Sequence, residues 1–486
     1  MDLHALSAIT PQLIIATGIV LAMLLVAWKR SQQLIANFTL SALVIALIAT
    51  INGFGVEKMP VTQLLAVDDY SRFAFILVLV ASIACVYLSK IMLKQVEDVH
   101  DEFYLLLLLV VLGASILVVS DHFASLFLGF ELLSIALVGL VGYCRQAPTA
   151  VETGFKYLIL SASASSFMLL GIAFIYAHTG DLSFAQLGQE NATLSNITWL
   201  YQVGFMLFFS GIAFKLSLVP FHFWTPDVYQ GASSPVTLLL ATVSKCAMFI
   251  VLLKCCFTAS HLHLLQDEKL MSFISWVAIL SMIIGNSLAL KQQSIKRLLA
   301  YSSIAHMGYL LIVVLLSGNH SVDMAWQSVL FYLTAYVLAS ASIFTVLTLM
   351  ERNCEVHSDI TTGDWRGLFW QQPLMATLLI FALLSFAGIP LTAGFIGKFY
   401  LISFAANEGL WALLAALVLG SGIALAYYLP VIFSLFSSGA TINNSSKCDY
   451  TASFSFIDKA VLMFFIFSGF SIGLFPDSIG RILQAL

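Results

Sequence analysis

The chain is 486 residues long, 60% hydrophobic and only 9% charged, with a formal net charge of −4 and a mean hydropathy of +0.98. That balance lies outside the range of soluble domains and assigns most of the chain to lipid. Basic residues are too sparse for nucleic-acid binding, and repeated apolar runs of about 20 residues exclude the weakly alternating strands of a membrane β-barrel.

Fourteen spanning helices are predicted, at 10–28, 34–51, 73–93, 103–120, 123–143, 153–176, 198–220, 233–256, 270–290, 297–317, 325–350, 373–404, 409–436 and 458–476. The first reads as a span and not as a cleavable signal, because no basic residue precedes its apolar run and Lys29 and Arg30 follow it. Loops after odd-numbered helices hold Lys29, Arg30, Lys90, Lys94, Arg145, Lys291, Lys296, Arg297, Arg352, Arg366, Lys447 and Lys459; the terminal side holds only Lys58, Arg72, Lys269 and Arg481. Short cytoplasmic loops are the basic ones, so both termini are expected on the far side of the membrane from the cytoplasm.

The charges left inside helices carry the functional signal. Helix five contains Glu131, helix six Lys156, helix seven Lys215, helix eight Lys245 and Lys254, and helix twelve Lys398. An ionised group at mid-membrane costs about 2.5–3.5 kcal/mol on insertion scales, so each needs a partner, a water or a neutral state. Lys254, at the outer end of helix eight, is expected to snorkel to the interface, and Lys156, near the start of helix six, has the same route open. Lys215, Lys245 and Lys398 lie too deep for that. Glu131 is the one acid read at equal depth; moving it relative to Lys215 would change the lysine's proton affinity. A static Glu131–Lys215 pair is the plain alternative, but it leaves Lys245 and Lys398 without acids. A chain of titratable groups across the membrane centre accounts for all three lysines, with His222 and His306 as bridging candidates. His122, His178, His261, His263, His320 and His357 fall at loops or interfaces and are read as solvated.

Two interruptions sit beside these charges. Pro220 breaks helix seven after Lys215, and Gly388-Ile389-Pro390 breaks helix twelve before Lys398. A break in lipid frees carbonyls that only protein or water can satisfy, and matched breaks near charge mark ion paths in transporters. Each falls on the fourth helix of a group of five. The chain therefore divides into three N-terminal helices (1–101), a first repeat of helices four to eight (102–257), a second, inverted repeat of helices nine to thirteen (270–436), and a final helix (437–486). Asp227, in the turn-rich "TPDVYQGASSP", is expected to cap its short helix. The seven cysteines are scattered, with no second pair at metal-ligand spacing to answer Cys255-Cys256, and no Walker A, G-x-G-x-x-G or haem-attachment motif occurs. No cofactor is expected in this chain.

The stretches "LFLGFELLSIALVGLVGY", "FKLSLVPFHFWTPDVYQGA", "IKRLLAYSSIAHMGYLL" and "FAGIPLTAGFIGKFY" resemble subunit N of the bacterial proton-pumping NADH:quinone oxidoreductase, respiratory complex I, and the resemblance runs through nearly the whole chain. It implies an all-α polytopic fold of fourteen helices, with two inverted five-helix repeats and a broken helix in each. By that resemblance Glu131 matches the functional acid of helix five, Lys156, Lys215, Lys245 and Lys398 match the functional lysines, and His222 matches the histidine after the first break. The sister subunits are set apart: L is longer and carries a lateral helix, and M has an acid where this chain has Lys398. One departure is "LLSIAL" after Glu131, where the family often has a proline. The family implies FMN, iron–sulfur clusters and quinone in partner subunits, contacts with antiporter-like subunit M and the small membrane subunits, and residence in the bacterial inner membrane. The alternatives are a subunit of a multisubunit sodium (cation)/proton antiporter without redox coupling, which would use the same fold and charges, and a structural spacer or quinone-site scaffold, which would tolerate loss of the lysines.

Overall fold

A computed structural model describes residues 3–55, 59–94, 101–144, 148–184, 199–258, 268–315, 322–352, 360–437 and 454–484. In chain order the helices are α1 (Leu3–Ala8), α2 (Thr10–Trp28), α3 (Gln32–Asn52), α4 (Asp69–Leu93), α5 (Glu102–Val119), α6 (Phe123–Val141), α7 (Pro148–Thr179), α8 (Trp199–Leu216), α9 (Trp224–Gly231), α10 (Ser234–Ala241), α11 (Val243–Thr258), α12 (Glu268–Ala289), α13 (Ile295–Val314), α14 (Val322–Glu351), α15 (Leu368–Gln371), α16 (Pro373–Ala387), α17 (Ala393–Asn407), α18 (Trp411–Phe436), α19 (Phe456–Leu474) and α20 (Pro476–Gln484). A short antiparallel ladder sets β1 (Met59–Pro60) against β2 (Ala66–Val67), with Met59 opposite Val67.

The chain is an all-α polytopic membrane protein. Among the described residues thirteen spans are long and apolar enough to cross a bilayer, with α10 and α11 together making one of them. The predicted twelfth crossing is delivered by two half-helices, α16 and α17, each too short to span alone. The α10–α11 span, α13 and α14 form the buried centre, whereas α2, α7 and α19 turn most of their apolar side chains outward. Sequential helices pair closely: α5 with α6, α7 with α8, and α12 with α13. α14 touches α4, α10, α13, α16, α17, α19 and α20, so it joins elements from distant parts of the chain.

Both breaks occur as expected, and protein groups meet the freed backbone. After α8, Ser217 takes a positive φ of 64° and the Val219–Pro220 peptide is cis. The Ser217 and Leu218 amides donate back to the Phe214 and Ala213 carbonyls, Trp224 Nε1 donates to the Phe214 carbonyl at 2.9 Å, and the Val219 amide donates to Ser281 Oγ at 2.9 Å. α16 ends in a left-handed Gly388, φ 79°, whose amide returns to the Leu384 carbonyl at 3.0 Å, as does that of Ile389 at 3.1 Å.

Several expectations need correction. Helix 233–256 is not uniform: it is distorted at Thr242 (φ −111°, ψ −67°), where the hydroxyl donates to the Leu238 carbonyl at 2.6 Å, a back-bond that bends helices. Lys254 does not snorkel. It is buried, 3.5 Å from Asp68 and 3.4 Å from the Ala66 carbonyl. Lys296, counted among loop cations, lies in the first turn of α13, where it is buried against Glu351 at 2.8 Å and donates to the Ala232 carbonyl at 3.0 Å. Asp227 does not cap α9 but pairs with Arg297 at 2.7 Å. His122, read as solvated, is the N-cap of α6, its Nδ1 accepting from the Ala124 amide at 3.1 Å. His261, His263, His320 and His357 lie outside the described residues.

Candidate functional site

Three lysines occupy the buried interior, and the partners of each are neutral. Lys215, near the end of α8, donates to Ser134 Oγ of α6 at 2.8 Å and to Tyr157 Oη of α7 at 3.0 Å. Its amine also lies over the ring of Phe130, 5.3 Å from the centroid. Lys245, in the first turn of α11 after the Thr242 distortion, donates to Ser303 Oγ of α13 at 2.7 Å and lies 5.7 Å from the Tyr229 ring. Lys398, on α17, reaches back across the second break and donates to the Phe386 and Ala387 carbonyls, both at 3.0 Å, with the Tyr309 ring at 5.2 Å. These carbonyls end α16, where a helix presents partial negative charge, so the amine caps the half-helix.

Among the described residues none of these lysines forms an ion pair with a carboxylate. The fixed Glu131–Lys215 bridge considered from the sequence is absent: the Glu131 Oε1 atom is buried without a protein hydrogen-bond partner, and the Lys215 amine is held by hydroxyls. The chemistry of those hydroxyls matters. Ser134 Oγ gives its proton to the Phe130 carbonyl at 2.6 Å and Ser303 Oγ gives its own to the Ala300 carbonyl at 2.7 Å, so each serine presents only lone pairs to its lysine. A lysine donates from N–H whether it is ammonium or amine. Each of the three lysines therefore keeps its hydrogen bonds in both protonation states, and Tyr157 can reverse its role and donate to a neutral Lys215.

His306 stands between the Lys245 and Lys398 sites. It follows Ser303 by one turn of α13, its Nδ1 is 2.7 Å from Tyr332 Oη of α14, and rings of Tyr309, Tyr336 and Phe386 surround it at 4.9–5.7 Å. The structure thus gathers Lys245, His306 and Lys398 along α13 and α14, with Lys215 held against α6 and α7. His222 is buried beside Phe223, ring centroids 4.4 Å apart, and its Nδ1 has no protein partner. Lys156 is not gathered in. Its side chain is 49% exposed, pairing with Glu152 at 2.7 Å and Asp227 at 3.8 Å. Pro220 separates α8 from α9, and Gly388 and Pro390 separate α16 from α17.

Sequence reasoning missed the partners: Ser134, Tyr157, Tyr229, Ser303, Tyr309 and Tyr332. Two left a signal, since Ser134 lies one turn beyond Glu131 and Ser303 one turn before His306; the tyrosines are indistinguishable from core aromatics in a sequence 13% aromatic. The buried acids Asp101 and Asp458 were also overlooked. Both lie at helix starts, and Asp458 is engaged by Tyr87 at 2.5 Å and Arg352 at 3.1 Å. Among the described residues no group of three or more His, Cys, Asp or Glu side chains is placed to hold a metal ion.

Comparison with known proteins adds an independent line. Residues 120–424 match the family described as NADH:quinone oxidoreductase/Mrp antiporter, transmembrane. A chain of respiratory complex I from Thermus thermophilus is 30% identical, with a TM-score of 0.82 over 98% of this chain and 99% of that one. A chain of the membrane-bound sulfane sulfur reductase, an archaeal respiratory membrane complex, is 22% identical, with a TM-score of 0.84 over 99% and 96% of the two chains. A chain of the Mrp complex from Dietzia sp. DQ12-45-1b is 19% identical, with a TM-score of 0.81 over 100% and 96%. The last two, at their low identity, speak to fold alone.

Proposed function

Because the chain belongs to the NADH:quinone oxidoreductase/Mrp antiporter transmembrane family, we propose that it moves protons across the bacterial inner membrane as antiporter-like subunit N of an NADH:quinone oxidoreductase. One observation carries the reading. Lys215, Lys245 and Lys398 are buried without a carboxylate partner, on neutral groups that hold either protonation state. A buried ion pair that only tied helices together would need the acid.

In this proposal cytoplasmic protons enter through the first repeat, residues 102–257, and load Lys215 and Lys245. They pass by way of His306 and water to Lys398, and leave to the periplasm through the inverted second repeat, residues 270–436. The unpartnered polar atoms of Glu131, His222 and Tyr229 are the kind that take ordered water when buried, which supports a hydrated file. Glu131 acts on Lys215 through its charge. Lys156, half-exposed between Glu152 and Asp227, supplies or receives protons at the edge of the first repeat. Oxidation of NADH and reduction of quinone, with FMN and iron–sulfur clusters, belong to partner subunits. Subunit M and the small membrane subunits are the neighbours, and both termini face the periplasm.

The 30% identity with a complex I chain supports this reading, and the matched family takes in Mrp antiporters as well. Purifying the native complex discriminates between them: NADH dehydrogenase activity and iron–sulfur partners should accompany this chain, and a complex without them would belong to the antiporter. Within the oxidoreductase, Lys245→Ala should abolish most quinone-linked pumping while the complex still assembles. Lys245→Arg should also impair it, because arginine hardly deprotonates. Wild-type proton-to-electron ratios in both variants would falsify the relay.

A further inference from the structure

A buried amide outside the lysine chain joins two tyrosines beside Lys398. Asn286 of α12 is 1% exposed. Its Nδ2 donates to the Met282 carbonyl at 2.7 Å and to Tyr309 Oη at 2.8 Å, and its Oδ1 accepts from Tyr427 Oη of α18 at 3.0 Å. The Met282 carbonyl can only accept, which fixes which end of the amide is the donor. An amide in an apolar interior is costly unless its polar atoms are used; these are, and the hydroxyl of Tyr309 is thereby pinned. The ring of that same tyrosine faces the Lys398 amine at 5.2 Å. Gly420 of α18 keeps the space open, since a Cβ there would meet Asn286 Nδ2 and Tyr309 Oη, both at 2.9 Å.

We propose that Asn286 and Tyr309 are positioning residues for Lys398, the amide holding the tyrosine ring face against the amine and so setting how firmly this lysine keeps its proton. The inference rests on the proton-relay reading above. A ring face attracts a cation and not a neutral amine, the more so away from water. The elements packed on α17 are α13, α14, α16, α18 and α19. Their ionisable groups on this side are His306 and Tyr309 from α13, Tyr332 and Tyr336 from α14, and Tyr427 and Tyr428 from α18. α16 contributes only carbonyls, and α19 carries Asp458, already engaged by Tyr87 and Arg352, and Lys459 in its first turn. With no described carboxylate paired to Lys398, the Tyr309 face is the electrostatic partner that a hydrogen bond can place or release.

The test measures proton translocation against pH by the purified native complex in proteoliposomes, for Asn286→Leu, Tyr309→Phe, Gly420→Ala and Lys398→Ala. Gly420→Ala keeps all three side chains and only wedges them apart. We expect each of the first three to move the alkaline limb of the profile to lower pH by about half to one unit. The double variant Asn286→Leu/Tyr309→Phe should move it no further than either single change, because both break the same Asn286–Tyr309 hydrogen bond. If Lys398→Ala stops translocation while the other variants keep the wild-type profile, or if the two single shifts add, the positioning role is wrong. If Lys398→Ala itself translocates normally, the relay fails and takes this inference with it.

Discussion

Gly388→Ala separates the position of the Lys398 amine from its presence. The residue has φ 79°, where a side-chain-bearing residue costs about 1–2 kcal/mol relative to the right-handed region. A Cβ at this site would lie 2.8 Å from Lys398 Cδ and 3.1 Å from Nζ, so the amine must shift and give up one of its hydrogen bonds to the Phe386 and Ala387 carbonyls, each now at 3.0 Å. Loss of one hydrogen bond to a charged group costs about 1.5–3 kcal/mol. The sum is about 2.5–5 kcal/mol, read as a lower thermal midpoint of the assembled complex. If only the amine displacement enters the barrier to proton transfer, pumping slows by about tenfold to a hundredfold at 1.36 kcal/mol per decade. Gly388→Asn tolerates the left-handed backbone better, and should show a smaller stability loss with the same pumping loss. The assay is acidification of proteoliposomes per quinone reduced, beside a thermal melt. An alanine variant that pumps within twofold of wild type would show that the carbonyl end of α16 does not need this amine.

Lys215→Met removes two hydrogen bonds but also a buried charge, terms that oppose one another; we expect the complex to assemble with a nearly unchanged melt and to lose at least tenfold in pumping, and a normal proton-to-electron ratio would rule Lys215 out as a carrier. Glu131→Gln keeps shape and removes charge from an atom without a protein partner, so a partial loss of pumping is expected, milder than at Lys215, and a complete loss would make the acid a carrier in its own right. Lys254→Met removes a cation 3.5 Å from Asp68, whose carboxylate still accepts from the Ser71 amide at 2.7 Å as the N-cap of α4, and should destabilise the complex by about 1–3 kcal/mol while leaving pumping per electron intact. A drop in that ratio would place Lys254 on the proton path.

Charge in lipid is so costly that Lys215, Lys245 and Lys398 stand out in the sequence without any alignment, and Pro220 and Gly388-Ile389-Pro390 are equally visible because only a break explains them. Depth along a helix was legible from hydropathy; lateral neighbours were not. Lys254 looked free to snorkel because its carboxylate, Asp68, comes from a segment 186 positions earlier in the chain. Lys296 looked like a loop cation for the same reason, since Glu351 reaches it from the far end of α14. The Glu131 bridge, weighed from the sequence only as the plain alternative, has its place taken by Ser134, a serine three residues on whose proton is already committed to the backbone and whose oxygen accepts from Lys215. Asn286 carried a faint mark, as a lone amide in an apolar helix, but its purpose depends on Tyr309 and Tyr427 and on the missing side chain of Gly420.

The end of α14 has a mechanical consequence. Glu351 holds Lys296 at 2.8 Å and Ser234 at 2.7 Å, while the next residue, Arg352, holds Asp458 at 3.1 Å, which Tyr87 grips in turn. Two adjacent residues thus bolt one long rod to α13, α10, α19 and α4. Sliding that rod would shear several charged contacts together, whereas flexing at Thr242 or between α16 and α17 disturbs a backbone already interrupted. Any bending would therefore meet least resistance at the joints nearest Lys245 and Lys398, with α14 as the cross-braced spindle beside them.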